Sequence, residues 1–153
     1  MTPKPNTGKP SRGVTAGQPR PGPFPREVLD WKGLCDRCLG NIDLVQRMLE
    51  KFEQRLPQEL AELERALAQS DAEQVARVAH RIKGTSANLS AEGLERAAAA
   101  VEDSSRASCM ADILQRLDCL HSEWERYRDY AASLSSAVDV AEAAGQPAVN
   151  TRF

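Results

Sequence analysis

Residues 45–67 read VQRMLEKFEQRLPQELAELERAL. Val45, Leu49, Phe52, Leu56, Leu60, Leu63 and Leu67 follow one another three or four positions apart. That spacing lines them along one face of an α-helix, while Glu, Gln, Lys and Arg fill the rest of the surface. A helix with one apolar stripe must bury it against neighbours, so the run predicts a helical bundle. Pro57 interrupts the seam. It lacks a backbone donor, which predicts a kink or a joint at that point.

The flanking sequence repeats the pattern. Asp30 is placed to cap a short helix ending near Leu39, with Gly40 available for a left-handed stop. Asn41 is placed to cap the long helix, and Asp43 in its first turn suits the positive end of the helix dipole. A third helix is expected after Asp71, with Gln74 completing a capping box. Its apolar face is Val75, Val78, Ala79, Ile82, Ser86 and Leu89. A fourth follows Ser90 and buries Leu94, Ala97, Ala98 and Val101. After a polar joint from Asp103 to Ser108, a fifth carries Met110, Ile113, Leu117, Leu120, Trp124, Tyr127, Ala131 and Leu134. No useful length alternates with a period of two. The expected fold is therefore all-α, an antiparallel four-helix bundle with a short additional N-terminal helix across one end.

Residues 1–25 hold seven of the nine prolines, four basic residues and no acidic one. Such a segment buries too little apolar surface to offset its ordering entropy, and a disordered tail is expected there. A second flexible tail is expected over 138–153, which is Ala-rich and broken by Gly145 and Pro147, leaving 26–137 as the folded bundle. A net charge of −2 with 27% charged residues fits neither a nucleic-acid binder nor a membrane segment. Met1-Thr2-Pro3-Lys4-Pro5 lacks the apolar core of a secretory signal, so cytoplasmic residence is the expectation; a monomer is also expected. Cys35, Cys38, Cys109 and Cys119 are then reduced thiols. Cys35-x-x-Cys38 has no second pair at the spacing of a common zinc site and reads as packing on a short helix.

His80 stands in Ala79-His80-Arg81-Ile82-Lys83-Gly84-Thr85-Ser86-Ala87-Asn88-Leu89. It lies off the apolar stripe of the third helix, among Ala76, Lys83, Gly84 and Ala87. The small neighbours leave the ring clear for another protein to close over it. Gly84 costs up to about 1 kcal/mol relative to alanine in a helix interior, and close approach by a partner is the natural compensation. Lys83 sits one turn on, within reach of an anion attached to the ring, and Arg77 and Arg81 add positive charge. These features suit an exposed nucleophile that carries a phosphoryl group. His121 has no such surroundings and reads as a structural or surface residue.

The string from Ala79 to Gly84 and then Ser86-Ala87-Asn88-Leu89 resembles the histidine-containing phosphotransfer (HPt) domain family. Leu94, Ala98 and Val101-Glu102 continue the likeness. Leu29-Asp30-Trp31, Arg37-Cys38-Leu39-Gly40 and Leu49-x-x-Phe52 look like members attached to hybrid sensor kinases. The resemblance spans residues 28 to 130 or so. It implies that His80 is the phosphoacceptor, that Lys83 stabilises the phosphoryl group and that Glu102 holds the other ring nitrogen. It further implies that Ala76, Arg77, Arg81, Gly84 and Ala87 face the partner. Those partners would be response-regulator receiver domains and a hybrid sensor kinase, with Mg²⁺ on the receiver and no cofactor on this chain. One departure is Ser90, where members commonly have glycine; serine there suits a cap for the next helix.

No G-x-x-x-x-G-K-[ST] loop and no βα alternation is present, so a stoichiometric carrier is expected rather than an ATP-dependent enzyme. Two other readings stay open. One is a non-catalytic helical module that binds and sequesters a receiver or kinase. The other is a metal- or redox-responsive bundle built on the four cysteines.

Overall fold

The computed structural model describes residues 27–143, with side chains described through residue 133. Five helices form in order: α1 (Trp31–Arg37), α2 (Ile42–Ala68), α3 (Ala72–Asn88), α4 (Glu92–Arg106) and α5 (Met110–Ala143), with no strand among the described residues. The expectations for residues 1–25 and for residues beyond 143 lie outside the described part.

Cross-helix pairs fix the arrangement. Glu62 of α2 meets both Gln74 and Arg81 of α3, on the far side of the joint between these helices. His80 of α3 meets Glu102 of α4. Glu53 and Glu64 of α2 reach Tyr127 and His121 of α5, so residue numbers rise on one helix as they fall on the other. The result is an up-down-up-down bundle of α2–α5, as expected from short joints. Between α2 and α5, Phe52 meets Trp124 and Tyr127 edge-on at centroid distances of 5.9 and 5.5 Å, and the latter two stack at 5.4 Å. Such aromatic pairs contribute about 0.5–1.5 kcal/mol each beyond the area they bury.

The helix α1 closes the end at which α3 turns into α4. Asp30 N–H donates to Ser90 O at 2.9 Å, and Val28, Leu29 and Leu34 are buried. Arg37 donates to the carbonyls of Ala87 and Asn88 at 2.5 and 3.2 Å. Those carbonyls end α3, whose last turn holds no basic residue, so α1 supplies the missing C-terminal partner from 50 positions away.

Every joint uses the same device. Leu39, Ser70, Ser90 and Ser108 have φ between 53° and 59°, and each next residue donates back over five positions: Gly40 to Cys35, Asp71 to Ala66, Ala91 to Ser86 and Cys109 to Ser104. These are Schellman turns, in which a left-handed residue lets two orphan carbonyls be satisfied. Gly40 also has positive φ (75°), yet the first left-handed residue is Leu39, not the glycine expected to stop α1.

Several expectations change with packing. Pro57 lies on an exposed face within an unbroken α2, so it marks no joint. At the end of α2 the buried position passes to Ala66, leaving Leu67 half-buried. Asp71 caps Gln74 N–H, but the Gln74 side chain donates to Glu62 across the bundle instead of closing a box. Ser90 caps nothing: Ala91 occupies the cap position of α4 without a side-chain bond, and the buried Ser90 hydroxyl finds no partner. The polar run from Asp103 is mostly helix, since α4 continues to Arg106 and buries Ser105. Met110 is exposed and Ala97 only half-buried. The backbone of α5 continues helical through Ala143, past the expected tail boundary at Val138.

Candidate functional site

The middle of α3 offers three kinds of surface. Val75, Val78, Ala79 and Ile82 are fully buried. Arg81 turns toward α2, where it binds Glu62 at 2.5 Å and approaches Glu59 at 3.7 Å. Lys83 turns toward α4. Between these flanks His80 stands outward, its side chain 63% exposed.

Behind His80 lies Glu102, whose side chain is only 1% exposed. Its Oε1 is 2.9 Å from His80 Nδ1 and 2.5 Å from Arg106 Nη2, and its Oε2 is 2.6 Å from Lys83 Nζ. Burial by itself would raise this carboxyl, but the bonds from Lys83 and His80 and the charges of Lys83 and Arg106 outweigh it and hold Glu102 below the usual carboxylate range. An ionised carboxylate only accepts, so in the neutral ring the proton sits on Nδ1 and the Nε2 lone pair is left for chemistry. Among the described residues none bonds Nε2.

Gly84 is exposed, and a Cβ built there meets nothing within 4 Å. Packing among the described residues therefore does not require glycine at that position. Ala87 is half-buried one turn beyond. On the opposite side of His80 an open groove of about 540 Å³ runs between α3 and α4, lined by Ala72, Glu73, Ala76, Arg77, Ser105, Arg106 and Ser108 with His80 at its edge. Arg77 is bound to Glu73 at 2.6 Å and to the Gln74 side chain at 2.9 Å.

Of the residues singled out from sequence, His80, Lys83 and Glu102 converge, and Ala76, Arg77, Gly84 and Ala87 flank them. Arg81 does not join them: two carboxylates on α2 hold it on another face, so its charge is not offered beside the ring. Arg106 was missed. Its signal was available, since it lies one turn after Glu102 on the same helix, where oppositely charged side chains meet.

The cysteines do not gather. Cys35 is half-buried, and burial with the nearness of Cys38 and Asp36 pushes its thiol up, which disfavours the reactive thiolate. Cys38 is in the core with its Sγ 3.7 Å from Met48 Sδ, while Cys119 is exposed on α5. No cluster of three or more His, Cys, Asp or Glu able to hold a metal occurs among the described residues. Nor is any helix among them long and apolar enough to cross a membrane.

Comparison with protein families matches the Hpt domain over residues 47–130, more than half of the chain. The chain belongs to the Hpt domain family. Hpt domains are phosphocarrier modules of two-component signalling that interact with receiver domains and kinases and have no ATP site of their own. The match takes in α3 and α4 whole, and with them the Hpt chain's cluster of His80, Lys83, Glu102 and Arg106. Neither the curated proteins nor the solved structures returned a match to this Hpt chain.

Proposed function

We propose that this Hpt protein relays a phosphoryl group between aspartates of receiver domains, with His80 Nε2 as the acceptor atom. The observation that carries this reading is the pairing of an exposed imidazole with a buried carboxylate at Nδ1. The pairing sets the tautomer, aims the ring and leaves one nitrogen as a nucleophile.

In the forward step the Nε2 lone pair attacks phosphorus of an aspartyl phosphate in line. The N–P bond forms as the P–O bond to the aspartate breaks, and the aspartate leaves as carboxylate. Positive charge develops on the ring, which still carries the Nδ1 proton, and Glu102 stabilises it at 2.9 Å. Lys83, already held against Glu102, lies one turn from the ring and would share its charge with the arriving phosphoryl oxygens. Mg²⁺ belongs to the receiver's carboxylates in this scheme, because Glu102, the carboxylate bonded to His80, is taken up by two cations. The reverse sequence delivers the group to a second receiver. A hybrid sensor kinase is the proposed upstream source, and the cytoplasm the proposed compartment.

Incubation with phosphorylated receivers and Mg²⁺ tests the proposal. Acid-labile, alkali-stable label should appear on the wild type and not on His80→Gln. Absence of label from every receiver of the source organism would overturn it. A sequestering module would instead keep its effect on the pathway in His80→Ala.

A further inference from the structure

The groove beside His80 is asymmetric in a way that bears on how a partner docks. Toward the C-terminal end of α3, past Gly84, the surface is open and made of small residues. Toward the N-terminal end it becomes a trough with small residues Ala72 and Ala76 on α3, the guanidinium of Arg77 on the same helix and that of Arg106 on α4. Both arginines are largely exposed, at 56% and 65% of the side chain. Neither is spent. Arg77 uses Nε and Nη1 on Gln74 and Glu73, and Arg106 uses Nη2 on Glu102, so each keeps donors of its planar fork.

We propose that this groove receives an acidic side chain of the receiver domain, bound between Arg77 and Arg106, and that this contact sets the orientation in which the receiver meets His80. The inference rests on the phosphotransfer reading above and adds to it the chemistry of one docking contact. Both guanidinia already hold a carboxylate, Arg77 that of Glu73 in the groove and Arg106 that of the buried Glu102 behind it, so each has shown the pairing chemistry an acidic side chain would use. The two differ in how firmly they do so. Glu102 is buried and bound three ways, whereas Glu73 is 81% exposed and bound by Arg77 alone, so an arriving carboxylate displaces Glu73 and leaves the His80–Glu102 pair intact. Glu73 then serves as an internal placeholder that a partner lacking the acidic group fails to replace. Arg81 is excluded from this role by its pairing to Glu59 and Glu62.

Single-turnover transfer from the phosphorylated receiver that labels His80 fastest gives the test, with full-length protein at a series of concentrations. Arg77→Glu should raise the half-saturating concentration by about tenfold and flatten its dependence on salt, with the limiting rate kept within about twofold. Ala76→Leu narrows the trough without changing charge and should raise the half-saturating concentration as well. Replacing one acidic surface residue of the receiver by arginine should restore binding to Arg77→Glu while weakening it to wild type. An unchanged half-saturating concentration in Arg77→Glu, or a loss confined to the limiting rate, would overturn the docking contact. A wild type that accepts no phosphoryl group from any receiver would instead overturn the phosphotransfer reading on which it stands.

Discussion

His80 Nδ1 lies 2.9 Å from Glu102 Oε1, and the two side chains sit on opposite sides of the solvent boundary, one 63% and the other 1% exposed. The buried member is fixed by α4 packing and the exposed member is fixed by the buried one. An imidazole on a helix surface ordinarily samples several rotamers; this one is tethered.

Glu102→Gln should keep a hydrogen bond to Nδ1 but remove the charge that offsets the developing imidazolium. Transfer from a receiver should slow by about one to two orders of magnitude, the range of a single lost electrostatic contact to a transition state. Glu102→Ala should slow it further and also destabilise the fold by roughly 1–3 kcal/mol, because Lys83 is left half-buried without its partner. Rapid-quench transfer and urea unfolding measure the two effects separately.

The same carboxyl sets a pH dependence. Its pKa is lower folded than its ordinary 4.5, so the stabilisation it supplies is complete above that value and disappears as pH falls through the folded pKa. Urea unfolding between pH 6 and pH 3 should show stability falling less steeply in Glu102→Gln than in the wild type. Equal slopes would mean that Glu102 is not the group responsible.

Gly84→Ala should separate stability from function. A Cβ there meets nothing within 4 Å among the described residues, and alanine exceeds glycine in helix propensity by up to about 1 kcal/mol, so the melting temperature should rise. Transfer from a receiver should fall if, as proposed, the partner approaches where the added methyl would lie. A variant that is more stable and equally fast would remove partner approach as the reason for glycine at this position.

The left-handed serines carry a further expectation. Ser70→Gly and Ser108→Gly should each stabilise by a few tenths to about 1 kcal/mol, the relief of an L-residue at positive φ less the added freedom of the unfolded chain. Ser90→Gly should gain more, since it also removes a buried hydroxyl without a partner. Chemical denaturation of the three variants gives the ranking, and a Ser90 variant no more stable than the others would count against the buried-hydroxyl cost.

The core offers a contrasting loss. Phe52 is 2% exposed and edges both Trp124 and Tyr127, so Phe52→Ala should cost about 3–5 kcal/mol. The same denaturation series detects it.

Helix identity was legible because it is local. The spacing of Val45, Leu49, Phe52, Leu56, Leu60 and Leu63 specifies one face, and all six are buried. Asp30, Asn41 and Asp71 each accept the backbone N–H three residues on, as their type and position imply. The joints were less legible. Ser90 reads as a cap because serine usually is one, yet here the chain needs a left-handed residue more than a cap, and α1 packing buries the hydroxyl. Arg81 reads as part of a basic cluster because sequence neighbours share a region of chain. A turn of 100° per residue nevertheless sends it toward α2 while His80 points outward.

Sequence alone thus determined the helices, their apolar faces and the identity of the exposed histidine, because each depends on residues within a few turns of one another. The family resemblance already named Glu102 for the place behind His80; the tertiary structure decided that Arg106 joins it and Arg81 does not, and that α1 completes the end of α3 through Arg37. Those pairings join residues 19 to 51 positions apart, apart from the one-turn bond of Arg106 to Glu102. They exist only once burial of the apolar stripes has fixed how the helices rotate and slide against one another.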